Sequence, residues 1–137
     1  MKSYTDIEQS KKLAEILPLE SADGFWEYHD KWCSEGDEWE GYEDYPRAEP
    51  YLEYTRKENE WKKDKSDVPC WSLTALLEFL RNRHDCNYVA LTSNKASLWC
   101  LRTSYYNHVW EDAEEVSENA VDACVEMIIR FNELKML

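Results

Sequence analysis

The sequence predicts an α+β fold, a small antiparallel sheet packed against two or three helices. Three observations predict it. Apolar residues recur with helical period in separate stretches near both ends and in the middle. Two β-prone runs flank a short polar turn at 88–101. The two patterns alternate along the chain, with no internal repeat.

The first helix is expected over about 5–17. Thr5 can cap it and Glu8 completes a Thr-x-x-Glu capping box. Ile7, Leu13, Ala14, Ile16 and Leu17 form its apolar face, Glu8 and Lys12 form an i,i+4 pair, and Pro18 ends it. Phe25-Trp26-Glu27-Tyr28 reads as a short strand, entered through a turn at Ala22-Asp23-Gly24. From Cys33 to Tyr45, Gly36 and Gly41 break any regular period, and the stretch reads as loop. Pro46 and Pro50 bracket a turn. Residues 51–63 suit a helix, with Pro50 in its first turn and the pairs Glu53–Lys57 and Glu58–Lys62 along it. A strand at Tyr51–Arg56 is the rival, because Tyr and Thr favour extended backbone.

A second clear helix is expected over 70–81, where Leu73, Leu76, Leu77 and Leu80 recur at i, i+3, i+4 and i+7. The hairpin follows, with strands at Tyr88–Thr92 and Ser97–Leu101 and a turn at Ser93-Asn94-Lys95. Tyr105–Trp110 suits a further edge strand. The last helix is expected over 119–134, capped by Asn119. Its apolar stripe is Val121, Cys124, Val125, Ile128, Ile129 and Phe131.

A chain of 137 residues suits a single domain, 1–137, with an acidic, aromatic-rich insertion at about 25–65. A domain of this size buries roughly 65–70% of its unfolded surface and needs no staples. Apolar content of 43% against 33% charged residues points to a globular chain. No apolar run approaches the ~18 residues of a membrane span. The N-terminal residues turn polar at once, so a cytoplasmic location is expected. The five cysteines, at 33, 70, 86, 100 and 124, are odd in number and widely spaced, which reads as reduced thiols. Cys100 and Cys124 fall in core elements, as small hydrophobes.

The net charge is -13, which argues against direct nucleic-acid binding and against anionic membranes. It suits a basic protein surface as partner, or solubility alone. With only Gly24, Gly36 and Gly41 there is no P-loop and no dinucleotide fingerprint. A nucleophile elbow and a His-Glu-x-x-His zinc motif are also missing. No cofactor is expected.

Three further chemistries have candidate residues in the chain. His29 and Cys33 at i,i+4, with His84 and Cys86, could in principle hold zinc, but the spacing matches no common finger and no metal is expected. Cys70 would sit at a helix N-terminus, where the macrodipole favours thiolate. With His29, His84 or His108 it could form a nucleophile site, while the plainer reading has Ser72 or Cys70 capping and Trp71 packing. Glu35, Asp37, Glu38, Glu40, Glu43 and Asp44 offer paired carboxylates, but a glycine-broken run gives them no rigid support. No catalytic residue is assigned.

Three stretches carry a resemblance: Lys2 through Pro18, Pro69-Cys70-Trp71-Ser72-Leu73, and Val121 through Ile129. Together they resemble a group of short uncharacterised proteins of prophages and other mobile elements of gut bacteria. The resemblance covers about half the chain and leaves 25–65 and the hairpin unplaced. It implies a mobile-element setting and a shared helical scaffold, and no activity.

The functional expectation rests on the middle segment. Residues 25–61 hold ten of the nineteen aromatics, twelve Asp/Glu and four Lys/Arg, so they carry -8 of the total charge. Tyr and Trp are enriched at binding hot spots but are also large core contributors. Six acids in ten residues cannot be buried without matching cations. The expected partner-contact residues are therefore Glu38, Trp39, Glu40, Tyr42, Glu43, Asp44 and Tyr45. The nearby basic cluster Arg56, Lys57, Lys62, Lys63 and Lys65 could instead neutralise the acids internally. The expected function is non-enzymatic docking on a basic partner, as a nucleic-acid mimic or host-factor inhibitor. The alternative is a small enzyme or ligand-binding protein with a thiol (Cys70) or carboxylate site.

Overall fold

The computed structural model describes residues 2–29, 41–51, 67–82, 86–93, 99–107 and 109–133. They form an α+β fold, and their contacts gather into two compact units. One unit is Asp6–Trp71; the other combines Met1–Thr5 with Ser72–Leu137.

In the unit Asp6–Trp71, α1 spans Ile7–Ala14. Its cap lies one residue later than the sequence suggests. Asp6 is extended (φ -74°, ψ 178°), its carboxylate accepts the Gln9 N–H at 2.8 Å, and the Gln9 side chain accepts the Asp6 N–H at 3.1 Å. Asp caps better than Thr, and Gln serves the third position as well as Glu, so the Asp6–Gln9 box displaces the expected Thr5–Glu8 box. The helix closes at Glu15, short of the expected 17, and Leu17 is tied back by its N–H to the Leu13 carbonyl at 2.7 Å. Ser10 and Leu13 form its buried side, and it packs on β4.

The strands of this unit are short: β1 Gly24–Trp26, β2 Tyr28–His29, β3 Gly41–Tyr42 and β4 Val68–Cys70. β1 pairs antiparallel with β4, setting Phe25 opposite Pro69. Proline has no N–H to give a ladder, and here it needs none. Phe25 turns its polar groups the other way: its N–H donates to the Arg47 carbonyl at 3.0 Å and its carbonyl accepts the Arg47 N–H at 2.8 Å. Antiparallel alternation turns the backbone polar groups of Gly24 and Trp26, not those of Phe25, toward β4. Phe25 and Trp71 are fully buried and Tyr51 is 1% exposed. The Trp71 indole donates to the Ser21 hydroxyl at 2.9 Å, and the Tyr51 hydroxyl donates to the Asp67 carbonyl at 3.0 Å. Each large ring is thus buried with its polar atom satisfied.

In the other unit, β5 Cys86–Ser93, β6 Trp99–Asn107 and β7 Val109–Ser117 form an antiparallel meander in that order, with a register shift between Cys86 and Tyr88. The hairpin expected at 88–101 is present in longer form, and the residues between its strands lie outside the described set. The expected edge strand at 105–110 is corrected. Tyr105–Asn107 continue β6, and β7 runs on to Ser117. Glu111-Asp112-Ala113-Glu114-Glu115 has little strand propensity, but pairing decides local structure. The ladder sets Glu114 opposite Arg102 and Glu111 opposite Tyr105.

Helix α2 spans Leu73–Arg81, later than the expected 70–81. Val68–Cys70 are taken by β4, and Ser72 caps the helix by accepting the Ala75 N–H at 3.2 Å. Helix α3 spans Ala120–Glu133, and the Asn119 side chain accepts the Val121 N–H at 2.8 Å. Its expected stripe is buried except for Ile129, which is half-buried. Ala120, Ala123 and Met127 widen it, so α3 is the hub of this core, packing on α2, β6 and β7. On α2 the buried side is Ala75, Leu76 and Leu80, while Leu73 and Leu77 are half-buried. The apolar face marked by the four recurring leucines is thus narrower than their period suggests.

The unit Met1–Thr5 with Ser72–Leu137 is discontinuous in sequence. Its two pieces are joined by an antiparallel bridge between Tyr4 and Ser72 and by an ion pair from Lys2 Nζ to the Asp122 carboxylate at 2.7 Å. Among the described residues no helix is long and apolar enough to cross a membrane.

Candidate interaction surface

Two backbone pairings hold the described end of the acidic segment in place. Tyr28 pairs with Tyr42 and His29 with Gly41 across the β2–β3 ladder. Gly41 has φ 149°, a value that a side chain would disfavour, so glycine suits the start of this pairing. The Glu43 N–H donates to the Glu27 carbonyl at 3.0 Å, and the Phe25–Arg47 bridge fixes the chain four residues on. On the other side, the Tyr28 N–H donates to the Asp67 carboxylate at 2.9 Å. The expected loop from Cys33 to Tyr45 is therefore corrected at Gly41–Tyr42, which is strand. Long-range pairing gives the rigidity that local glycine content argued against.

The side chains sort by depth. Tyr28 and Tyr42 are half-buried and meet edge to face, ring centres 5.1 Å apart. The Lys11 ammonium of α1 stands over the Tyr42 ring, 5.4 Å from its centre. Glu43 is half-buried, Asp44 is exposed, and Tyr45 is 81% exposed. Glu27 and Arg47 form an ion pair at 2.9 Å at the base of this surface, with Glu27 the more buried partner. A tyrosine left this open beside an exposed carboxylate contributes nothing to the core that holds Phe25 and Tyr51.

Of the seven expected contact residues, the structure brings Tyr42, Glu43, Asp44 and Tyr45 together. Glu38, Trp39 and Glu40 lie outside the described residues, as do the helix or strand expected after Tyr51 and the basic cluster at 56–65. Lys11 is the residue sequence reasoning missed. It lies 31 positions from Tyr42, and no local pattern links the two.

The thiol site is corrected. Cys70 is a strand residue, not a helix N-terminus, and it is fully buried. Burial raises its thiol pKa well above the ordinary value, and the nearby Asp23 carboxylate adds to the rise. It is the reverse of the activation a nucleophile needs. Cys124 is likewise buried and pushed up to about 12 by desolvation. His29 is in β2, while Cys33 and His84 lie outside the described residues. Among the described residues no three His, Cys, Asp or Glu side chains gather as metal ligands.

A concavity belongs to the other unit. Thr74, Leu77, Glu78, Arg81, Asn82 and Leu91 line an open groove of about 610 Å³ between α2 and β5. Its lining mixes two half-buried leucines with charges of both signs.

Comparison of the chain with protein-family models, curated proteins and solved structures finds no match.

Proposed function

We propose that this protein is a non-enzymatic interaction module that docks its acidic, aromatic surface on a basic partner protein in the cytoplasm. The reading rests on one observation above the others: Tyr45 is 81% exposed next to the exposed Asp44, on a segment pinned by backbone pairing. An exposed tyrosine in a bend held between two backbone pairings loses little entropy on binding and offers large contact area. The surrounding segment carries -8, so charge would steer encounter with a positive patch. In one form of this function the carboxylates stand in for phosphates and occupy the nucleic-acid site of the partner. A mobile-element setting, implied by the resemblance, makes a host protein a natural target. The rival thiol chemistry loses its support with the burial of Cys70.

The test is comparative capture from a bacterial lysate at low salt, with the wild-type chain and an Asp44→Asn/Tyr45→Ser variant. A basic protein held by the first and lost by the second supports the reading. Identical captured sets from two equally folded proteins would refute it.

A further inference from the structure

Building on the docking reading above, we infer that the Tyr42 ring is a cation site for an arginine side chain of the partner, occupied in the unbound protein by the chain's own Lys11. The Lys11 ammonium stands 5.4 Å from the ring centre, within the ~6 Å over which a cation is attracted by an aromatic face. Tyr42 is fixed beneath it by the ladder with Tyr28 and by the edge-to-face ring contact at 5.1 Å. The ring therefore presents a fixed face, already selected by a positive group.

Lys11 is an exposed residue on α1. Its ammonium is strongly hydrated and carried on a flexible stem, so it gains little from the ring and leaves readily. A guanidinium is planar, more weakly hydrated, and stacks on aromatic faces. It displaces Lys11 with less desolvation cost. Lys11 then acts as a resident competitor. It screens the ring from weak cations and sets a threshold that an arginine-rich surface passes.

The experiment measures binding of fluorescein-labelled nona-arginine by anisotropy at low salt, using the full chain. Six proteins are compared: wild type, Lys11→Gln, Lys12→Gln, Tyr42→Leu, Tyr42→Phe and the double variant Lys11→Gln/Tyr42→Leu. Lys12 is an exposed neighbour on the same helix, so its variant removes the same charge without emptying the ring. The expected result is affinity raised about two- to fivefold by Lys11→Gln, the scale of one exposed cation–π contact. Lys12→Gln stays within the general charge effect, and Tyr42→Leu loses the gain when combined with Lys11→Gln. Equal effects of the two lysine variants, or no gain from Lys11→Gln, would overturn the inference and leave the docking reading in place. Absence of binding by all six proteins would remove both. A Tyr42→Phe variant, which keeps the ring, should match wild type, and separates loss of the site from loss of fold.

Discussion

Tyr28 and Tyr42 are partners across a two-residue ladder, and their rings meet edge to face at 5.1 Å. The contact ties the described end of the acidic segment to β2, two residues beyond the strand β1 that carries Phe25 in the core. An aromatic pair of this geometry adds about 0.5–1.5 kcal/mol beyond its buried area. A double-mutant cycle with Tyr28→Leu and Tyr42→Leu, measured by urea unfolding, should return a coupling of that size. A coupling near zero would mean that the rings touch without holding the segment.

The core of the other unit makes a sharper prediction. Leu76 is fully buried and Leu77 is half-buried along the open groove with Leu91. Leu76→Ala should cost about 2–5 kcal/mol, the range of a packed core truncation. Leu77→Ala should cost clearly less, because solvent fills the space it leaves. Equal costs in denaturant titrations would show that the whole leucine stripe is core.

Those leucines show how far the sequence could be read. The period of Leu73, Leu76, Leu77 and Leu80 locates a helix and its apolar side, but not which edge of the stripe faces the hub helix α3. For α3 the stripe is broad enough that small rotations leave most of it buried, and the reading holds from Val121 to Phe131 except at the half-buried Ile129. β7 was hidden because its acids form a strand only through the ladder with β6. β4 was hidden because Pro69 reads as a break, and only its position opposite Phe25 makes it tolerable. On the candidate surface, Asp44 and Tyr45 were legible from charge and aromatic density. The Lys11 contact was not, since it depends on how α1 lies beside a strand far along the chain.

Ser72 serves two structures at once. It caps α2 through its hydroxyl, and its backbone pairs with Tyr4. Ser72→Ala removes only the first role and should cost about 1 kcal/mol, the usual value of a lost N-cap. Ser72→Asp, which keeps a capping acceptor, should recover most of it. A loss well above 2 kcal/mol for the alanine variant would place the hydroxyl in a larger network than one cap.

The buried thiols give a pH dependence. Cys124 has its pKa raised from the ordinary 9.0 to about 12, and Cys70 is raised as well. Both stay protonated in the folded chain while the unfolded chain ionises near 9.0. Folding stability is therefore unaffected by these groups below that value and falls as pH rises above it. Urea titrations from pH 8 to about 10.5 should show this decline, and Cys124→Ala should flatten it. An unchanged slope in that variant would mean that the thiol ionises equally in both states.

The central claim is that the acidic, aromatic surface binds a basic partner. The most direct measurement is the affinity for the captured partner across salt concentrations, for wild type and for a Glu38→Lys/Glu40→Lys/Asp44→Lys variant. Glu43 is left in place because it is half-buried and its backbone is bonded to Glu27. The account predicts wild-type binding that weakens as salt rises from about 50 to 300 mM, since exposed charges are screened over that range. It also predicts a charge-reversed variant that melts at nearly the same temperature and does not bind. Unchanged affinity in the folded variant, flat across salt, would contradict the claim and leave the acidic segment a solubility feature.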